Sequence, residues 1–296
     1  MSSAPADLSA DDVAVRPLKS ETRLIDKVSL ELLPEHAAKF DPACSSFAPG
    51  SFVFLTHIPG KPLNAQREAV EIVREKGFEP VPHLAARNFA SVDEYVNHLR
   101  ELTRRGAKSV LMIGGNPSNE KTAMESAIEL LRHPVVGETG LERVFIGGHP
   151  EGHPVIAQET LRAALIEKVS LGQTLGLETS IVTQFGFDGI GMANWARNLR
   201  RDGIDIPIRF GVAGVTSLPK LIKFAMLCGV GPSISAIARQ GGALFKVMRD
   251  QDPSDVIGQL EADARNQGLG DIALHFFPFG GWERTTAWLD AERKHR

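Results

Sequence analysis

The stretch "SFVFLTHIPGKPLNAQREAVEIVREKGFEPVPHL", residues 51–84, contains a complete strand–helix–strand repeat. The apolar runs at its two ends have the length and composition of buried β-strands. Between them, Ala65, Ala69 and Ile72 recur at helical spacing, and Gly77 is placed to end the helix. Two strands joined by a helix form a βαβ unit, so this stretch predicts an α/β fold with a parallel sheet.

The same alternation continues along the rest of the chain. Eight short apolar runs are separated by longer amphipathic segments, one of which has Ser91 and Glu94 at the positions of a helix-capping box. The runs are 27–33, 51–56, 79–84, 108–114, 143–148, 179–185, 206–212 and 271–277. This order predicts a closed (β/α)8 TIM barrel rather than an open doubly wound sheet. The long seventh interval predicts extra helices between the seventh and eighth strands, at 217–228, 233–248 and 254–267.

The charge balance favours a small-molecule ligand. The 296 residues include 33 basic and 36 acidic side chains, so the formal net charge is only -3. A surface of this kind offers no electrostatic footprint for nucleic acid or for an acidic membrane. We therefore expect neither as a partner, and we leave homo-oligomer formation through exposed helices open.

The cysteine content and the chain ends suggest a cytoplasmic protein. The two cysteines, Cys44 and Cys228, are too few for a disulfide scaffold. The first residues are rich in Ala, Ser and Asp and contain no continuous apolar core, so we expect neither a secretory signal nor an anchor. We predict a flexible tail over 1–22 and one catalytic barrel domain over 23–296.

Glu31 is the most unusual residue of the predicted strands. In "SLELLP" it places a carboxylate within an apolar run, where an ionised group is costly. One interpretation is a paired or solvated glutamate at a strand end. The other is a general acid, because an apolar setting raises the pKa of a carboxyl group and keeps it protonated. Since active sites of barrels lie at the carboxyl ends of the strands, both interpretations remain open.

The loop "GGHPEGHP", residues 147–154, has two histidines at the spacing of a helical zinc motif. Pro150 and Gly152 stand between His149 and His153 and disfavour such a helix. Without a ready third ligand, we predict no metal site here. The alternatives are a hydrogen-bonded histidine in a strand-to-helix loop and a glycine loop whose backbone approaches a phosphate.

Read together and in order, several motifs resemble the methylenetetrahydrofolate reductase family from about Lys27 to about Trp288. They are "VSLELLP" (28–34), Thr56, "PHL" (82–84), "GGHPEGHP" (147–154), "IVTQFGFD" (181–188), "GIDIPIRFGVAGVTSLPKLIKFAMLCGV" (203–230) and "LHFFPF" (274–279). The resemblance implies a flavin-containing barrel that uses NADH or NADPH. Its reaction interconverts 5,10-methylenetetrahydrofolate and 5-methyltetrahydrofolate.

The resemblance also implies residue roles. Glu31 matches the family's general acid, which protonates the folate ring nitrogen system so that the imidazolidine opens to an iminium ion. Thr56, His83 and His153 match contacts to FAD. Gln184 matches a contact to the folate.

Two loops depart from the family's pattern. Ile113, Gly114 and Gly115 stand where the family commonly has Arg-Gly-Asp, and we expect the two glycines and Asn116 to approach the cofactor instead. His149 stands where the family more often has Tyr, and we expect it to contact the cofactor as well. At the end of the eighth strand, Phe279 begins the tripeptide that replaces Leu-Asn-Arg, and we expect it at the folate.

These departures leave two other functions open. The first is a tetrahydrofolate-binding or methyl-transfer-associated paralogue that has no redox activity and no flavin, since a fold does not fix a function. The second is a reductase that passes hydride directly from the nicotinamide to the folate.

Overall fold

The structure, a computed structural model, describes residues 23–41, 47–117, 122–227, 250–265 and 268–294. The predicted tail, 1–22, and the predicted helix at 233–248 lie outside the described residues.

Eight parallel strands close into a barrel, which confirms the predicted (β/α)8 TIM fold. Around the barrel the order is β1, β10, β7, β6, β5, β4, β3 and β2. These strands are β1 (Val28–Leu32), β2 (Phe52–Leu55), β3 (Glu79–Ala85), β4 (Ser109–Ile113), β5 (Arg143–Gly148), β6 (Glu178–Phe185), β7 (Ile208–Ala213) and β10 (Ile272–Phe277). Each coincides with one of the eight apolar runs predicted from the sequence.

Helices surround the barrel. In the described residues they are α1 (Leu63–Glu75), α2 (Val92–Arg104), α3 (Ala127–Arg132), α4 (Val135–Glu138), α5 (Gln158–Thr174), α6 (Gly189–Arg201), α7 (Leu218–Leu227), α8 (Ser254–Arg265) and α9 (Trp282–Lys294). Half of the predicted capping box forms, because the Ser91 hydroxyl accepts a hydrogen bond from the Glu94 backbone N–H at 3.0 Å, while the Glu94 carboxylate accepts from the Ala90 N–H at 2.7 Å rather than from that of Ser91. Gly77 follows α1 with a φ of 85°, the left-handed conformation that ends helices.

Between β7 and β10 the chain adds elements outside the barrel. Helices α7 and α8 coincide with two of the three extra helices predicted from the sequence. Two short antiparallel strands, β8 (Thr216–Ser217) and β9 (Asp250–Gln251), pair with each other in this region.

Side chains alternate between the inside and the outside of the barrel, because successive residues of a strand point to opposite faces. The outward ones pack beneath the helices in one large cluster. The inward ones form a second cluster of Phe54, Val81, Leu111, Phe145 and Val182. Glu31 lies beside Phe54 in the register of β1 and β2, at the carboxyl end of this filled interior.

Among the described residues, no helix combines the length and the apolar composition required to span a membrane.

Candidate active site

Glu31 lies between two histidines at the carboxyl end of the barrel. Its Oε2 is 3.9 Å from His83 Nε2 and 3.9 Å from His275 Nε2. The glutamate keeps 21% of its side-chain surface exposed, whereas His275 is fully buried. These separations are too long for direct hydrogen bonds but short enough for strong electrostatic coupling. The coupling is clearest for Glu31 and His83, since each of the two groups shifts the pKa of the other.

Burial sets the protonation of this group. Desolvation raises the pKa of Glu31, and the neighbouring His83 opposes that rise in part. Desolvation also lowers the pKa of His83 to about 4 and that of His275 to about 3. At neutral pH both imidazoles are therefore uncharged, and the most favourable place for a proton in the cluster is the Glu31 carboxyl group.

Ser29 contacts the buried ring of His275. The Ser29 hydroxyl lies 3.2 Å from the Leu274 carbonyl and 3.0 Å from His275 Nδ1. When the hydroxyl donates to Leu274, it accepts from Nδ1–H, and His275 Nε2 then presents a lone pair to Glu31.

Thr56 and His83 lie at the ends of the adjacent strands β2 and β3. Within the described residues, neither Thr56 Oγ1 nor His83 Nε2 has a hydrogen-bond partner, although both atoms are buried. A buried polar atom without a partner costs free energy and is a ready contact for a ligand. Two of the predicted cofactor residues are therefore brought together with unused hydrogen-bonding capacity.

A local irregularity positions Gln184 in β6. The pairing of β6 with β7 shifts register between Val182 and Phe185, and the Thr183 hydroxyl there accepts from the Gly211 N–H at 2.8 Å. A side chain at Gly211 would collide with the Gln184 carbonyl oxygen at 2.7 Å, so only glycine fits against the irregular strand. Such bulges reorient side chains beside active sites.

Phe279 belongs to an aromatic cluster at the barrel mouth. Its ring stacks on Phe224 of α7 at 4.3 Å between centroids, and it contacts Phe185 at 4.9 Å. Phe277 connects this aromatic cluster to the group of Glu31, His83 and His275, since its ring centroid lies 5.7 Å from that of Phe185 and 4.8 Å from that of His275. Half-buried rings of this kind offer stacking surface to a planar heterocycle.

The loop after β4 is packed against its own chain. Arg87 donates from Nη1 to the Gly115 carbonyl at 2.9 Å and pairs through Nε with Glu125 at 3.0 Å. A side chain at Gly114 would meet the Arg87 guanidinium at 3.3 Å. Asn116, the next predicted contact, is exposed. The space left by the glycines is thus occupied in part by Arg87.

His149 and His153 lie in a turn after β5, with ring centroids 5.7 Å apart in an edge-to-face arrangement. The Gly152 N–H donates to the His149 carbonyl at 3.1 Å, which closes the turn. Burial lowers the pKa of His149 to about 4, and the nearby Lys168 and His153 add to this effect. His153 Nδ1 accepts from the Val155 N–H at 3.3 Å.

Two further residues support this turn. Lys168 donates to the Gly147 carbonyl at 3.1 Å, and Glu151 accepts from the Phe187 N–H at 3.0 Å. The second contact joins the turn to the segment that follows Gln184. In the part of the chain that the structure describes, no three His, Cys, Asp or Glu side chains are grouped as metal ligands.

Sequence reasoning missed His275 and Phe277 as parts of the mouth, and it missed the contact of Arg87 with the loop after β4. The two strand residues carry a readable signal, because alternate positions of "LHFFPF" point into the barrel. Arg87 carries none, since its contact with Gly115 depends on how two loops meet.

The sequence profile of a family described as methylenetetrahydrofolate reductase matches residues 49–237, which is more than half of the chain. The chain belongs to the methylenetetrahydrofolate reductase family. The family assignment agrees with the resemblance found in the sequence motifs, and the matched range includes the mouth segments from β2 to α7.

Two solved structures have similar folds. The first is described as an uncharacterized protein from Clostridium thermocellum that binds two copies of 5-methyl-5,6,7,8-tetrahydrofolic acid. It has a TM-score of 0.59 and 12% sequence identity, with 91% of this chain and 96% of that chain covered. The second is described as a putative phosphonomutase from Burkholderia cenocepacia J2315, with a TM-score of 0.47, 11% identity, and 92% and 97% coverage.

Proposed function

We propose that this protein is an oxidoreductase that interconverts 5,10-methylenetetrahydrofolate and 5-methyltetrahydrofolate with electrons from NADH or NADPH. The observation that carries the proposal is the Glu31 cluster at the barrel mouth, in which burial raises the pKa of the carboxyl group and lowers the pKa of both neighbouring histidines, so that the carboxyl group is the favoured site for a proton. Family membership supports the folate as substrate, and so does the folate bound by the Clostridium thermocellum protein of the same fold.

In this reaction Glu31 donates its proton to the imidazolidine nitrogen that leaves when the ring opens. The iminium carbon then receives a hydride, and the products are the methyl folate and oxidised nicotinamide. A positioned proton donor contributes roughly 10²–10⁴-fold to such a step. Gln184 would hydrogen-bond the folate, and Phe279 with its cluster would stack on its rings.

FAD is the proposed cofactor. The unpartnered Thr56 hydroxyl and His83 Nε2 fit hydrogen bonds from a bound ring system, and His149 and His153 would line the same group from β5. Gly114, Gly115 and Asn116 would lie along it on the β4 side. When bound, FAD would accept hydride from the nicotinamide and pass it to the folate.

The contact between Arg87 and Gly115 favours a second candidate. Because Arg87 occupies part of the space at the β4 loop, the cofactor side of the mouth is narrower than its glycines suggest. A reductase that transfers hydride directly from nicotinamide to folate needs no flavin ring there. A folate-binding paralogue without redox activity needs neither a flavin ring nor a bound nicotinamide.

The visible absorption spectrum of the purified protein, recorded before and after incubation with FAD and desalting, separates these functions when it is combined with NAD(P)H consumption. Retained flavin bands with folate-dependent turnover support the flavin enzyme. A colourless protein with turnover supports direct transfer. Calorimetric binding of 5-methyltetrahydrofolate without NAD(P)H consumption would overturn the redox proposal and support the paralogue.

A further inference from the structure

Gln66 is a glutamine whose amide group is buried beneath the barrel mouth. It lies on α1 with 3% of its surface exposed, a rare environment for glutamine. Its Nε2 lies 2.9 Å from the Leu55 carbonyl, 3.2 Å from the Thr56 carbonyl and 3.1 Å from the His83 carbonyl. One amide group therefore contacts the carboxyl ends of both β2 and β3.

The orientation of this amide is fixed by its neighbours. Arg67 Nε lies 3.0 Å from His98 Nδ1 and can only donate, so Nδ1 is the acceptor. Burial, aided by Arg67, lowers the pKa of His98 to about 3, so its ring is neutral and carries its proton on Nε2. That N–H donates to Gln66 Oε1 at 2.7 Å. The NH₂ group must then face the three carbonyls.

Two prolines limit the backbone hydrogen bonds that β3 can donate. Pro80 and Pro82 lie in this strand and have no N–H to donate to a neighbouring strand. The backbone register of β2 with β3 runs only as far as Leu55 and Pro82. The Gln66 amide joins the two strands beyond that point, where the next residues are Thr56 and His83.

We propose that Gln66 is a positioning residue that holds Thr56 and His83 in place at the barrel mouth. Its contacts are to the backbone of both residues, and the side chain of each has a buried polar atom without a hydrogen-bond partner in the described part of the chain. Through His83, which lies 3.9 Å from Glu31, the same contacts set the surroundings of the proposed acid. The functional part of this inference rests on the proposed reductase function.

The variant Gln66→Leu removes all four hydrogen bonds while it keeps a side chain of similar size. The control is Gln173→Leu, on the exposed surface of α5. Histidine ¹⁵N NMR measures the structural effect without any need for activity. We expect the buried Nε2–H signal of His98 to lose its protection and the signals of His83 to shift, with both unchanged in the control. Wild-type signals from His83 in Gln66→Leu would overturn the proposal.

Turnover measures the functional effect. Misplacement of a group by about 1 Å costs up to roughly 100-fold in rate, so we expect kcat in Gln66→Leu to fall between tenfold and 100-fold. The dissociation constant of 5-methyltetrahydrofolate should change less than threefold. A wild-type protein without turnover or folate binding would refute the proposed function, while the NMR result would still decide the positioning role.

A second variant keeps the test decisive if Gln66→Leu does not fold. In Gln66→Glu, one carboxyl oxygen accepts from His98, and the other can donate to a single carbonyl only while it is protonated. The same spectra locate the titration of the introduced carboxyl group, and we expect the His83 signals to approach those of the wild type at the same pH as this group becomes protonated. Signals that stay displaced to the same extent on both sides of that titration would contradict the positioning role.

Discussion

Two halves of the barrel mouth differ in how their polar groups are used. In the acid sector, formed by Glu31, Thr56, His83 and His275, three buried polar atoms have no partner within the described residues. In the loop sector, formed by Gly114, Gly115, His149 and His153 with Glu151 between the two histidines, the Gly115 carbonyl and His153 Nδ1 bond to the chain itself, and Glu151 Oε2 is the buried side-chain atom without a partner among the same described residues. Because three such atoms lie in the acid sector and one in the loop sector, we expect more of the ligand contacts in the acid sector.

The largest expected effect tests the acid sector directly. Glu31→Gln removes the proposed proton donor but keeps the size of the side chain, so turnover should fall by roughly 10²–10⁴-fold. Folate binding, measured by calorimetry, should change little. The matched control is Glu35→Gln, which alters an exposed glutamate shortly after β1. Unchanged turnover in Glu31→Gln would remove this residue from the mechanism.

The second effect concerns pH and stability. The pKa values of His57 and His83 are lowered to about 4, and those of His98 and His275 to about 3, with burial as the first cause in each case. Below the unfolded value of about 6.5, the unfolded chain binds more protons than the native protein. The contribution of these neutral histidines to the free energy of unfolding is therefore fully present above pH 6.5 and is lost as the pH falls toward 4.

Urea unfolding at several pH values between 7.5 and 5 measures this loss. Each histidine that stays neutral in the native state contributes a slope approaching about 1.4 kcal/mol per pH unit below its unfolded pKa. His98→Gln should flatten the curve, whereas His36→Gln, at an exposed position, should not. A curve that is level over this range would contradict the buried neutral histidines.

The smallest effect concerns the loop sector. Arg87→Met removes a salt bridge to the exposed Glu125, a kind of pair worth about 0–1 kcal/mol, together with the bond to the Gly115 carbonyl. We expect only a slight fall in the free energy of unfolding and less than a threefold change in the dissociation constant of 5-methyltetrahydrofolate. Arg100→Met, which breaks another exposed pair, is the control. A larger loss of folate binding would show that the two sectors are coupled.

The fold was predictable because its information is local. Every barrel strand follows from an apolar run, and Ser91 with Gly77 marks the helix ends by chemistry that acts within a few residues. The acid could be proposed for a similar reason, since a glutamate in an apolar strand stands out from its neighbours.

The contacts between distant segments were not predictable in this way. Gln66 reads as an ordinary polar residue of an amphipathic helix, and only the assembled barrel shows it facing three carbonyls from two strands. The register shift that positions Gln184 likewise depends on how β6 pairs with β7. Such contacts join residues far apart in the chain, and local periodicity contains no information about them.

The packed interior beneath Glu31 has a consequence for the timing of the reaction. Phe54, Val81, Leu111, Phe145 and Val182 fill the barrel, so Glu31 exchanges protons with bulk water from the mouth side. A folate bound across the mouth would cover that route. As the proposed acid, Glu31 would then have one proton to donate in each catalytic cycle, and it would regain a proton only after the product had left. A solvent isotope effect would therefore report on the reprotonation of Glu31 in the free enzyme as well as on ring opening.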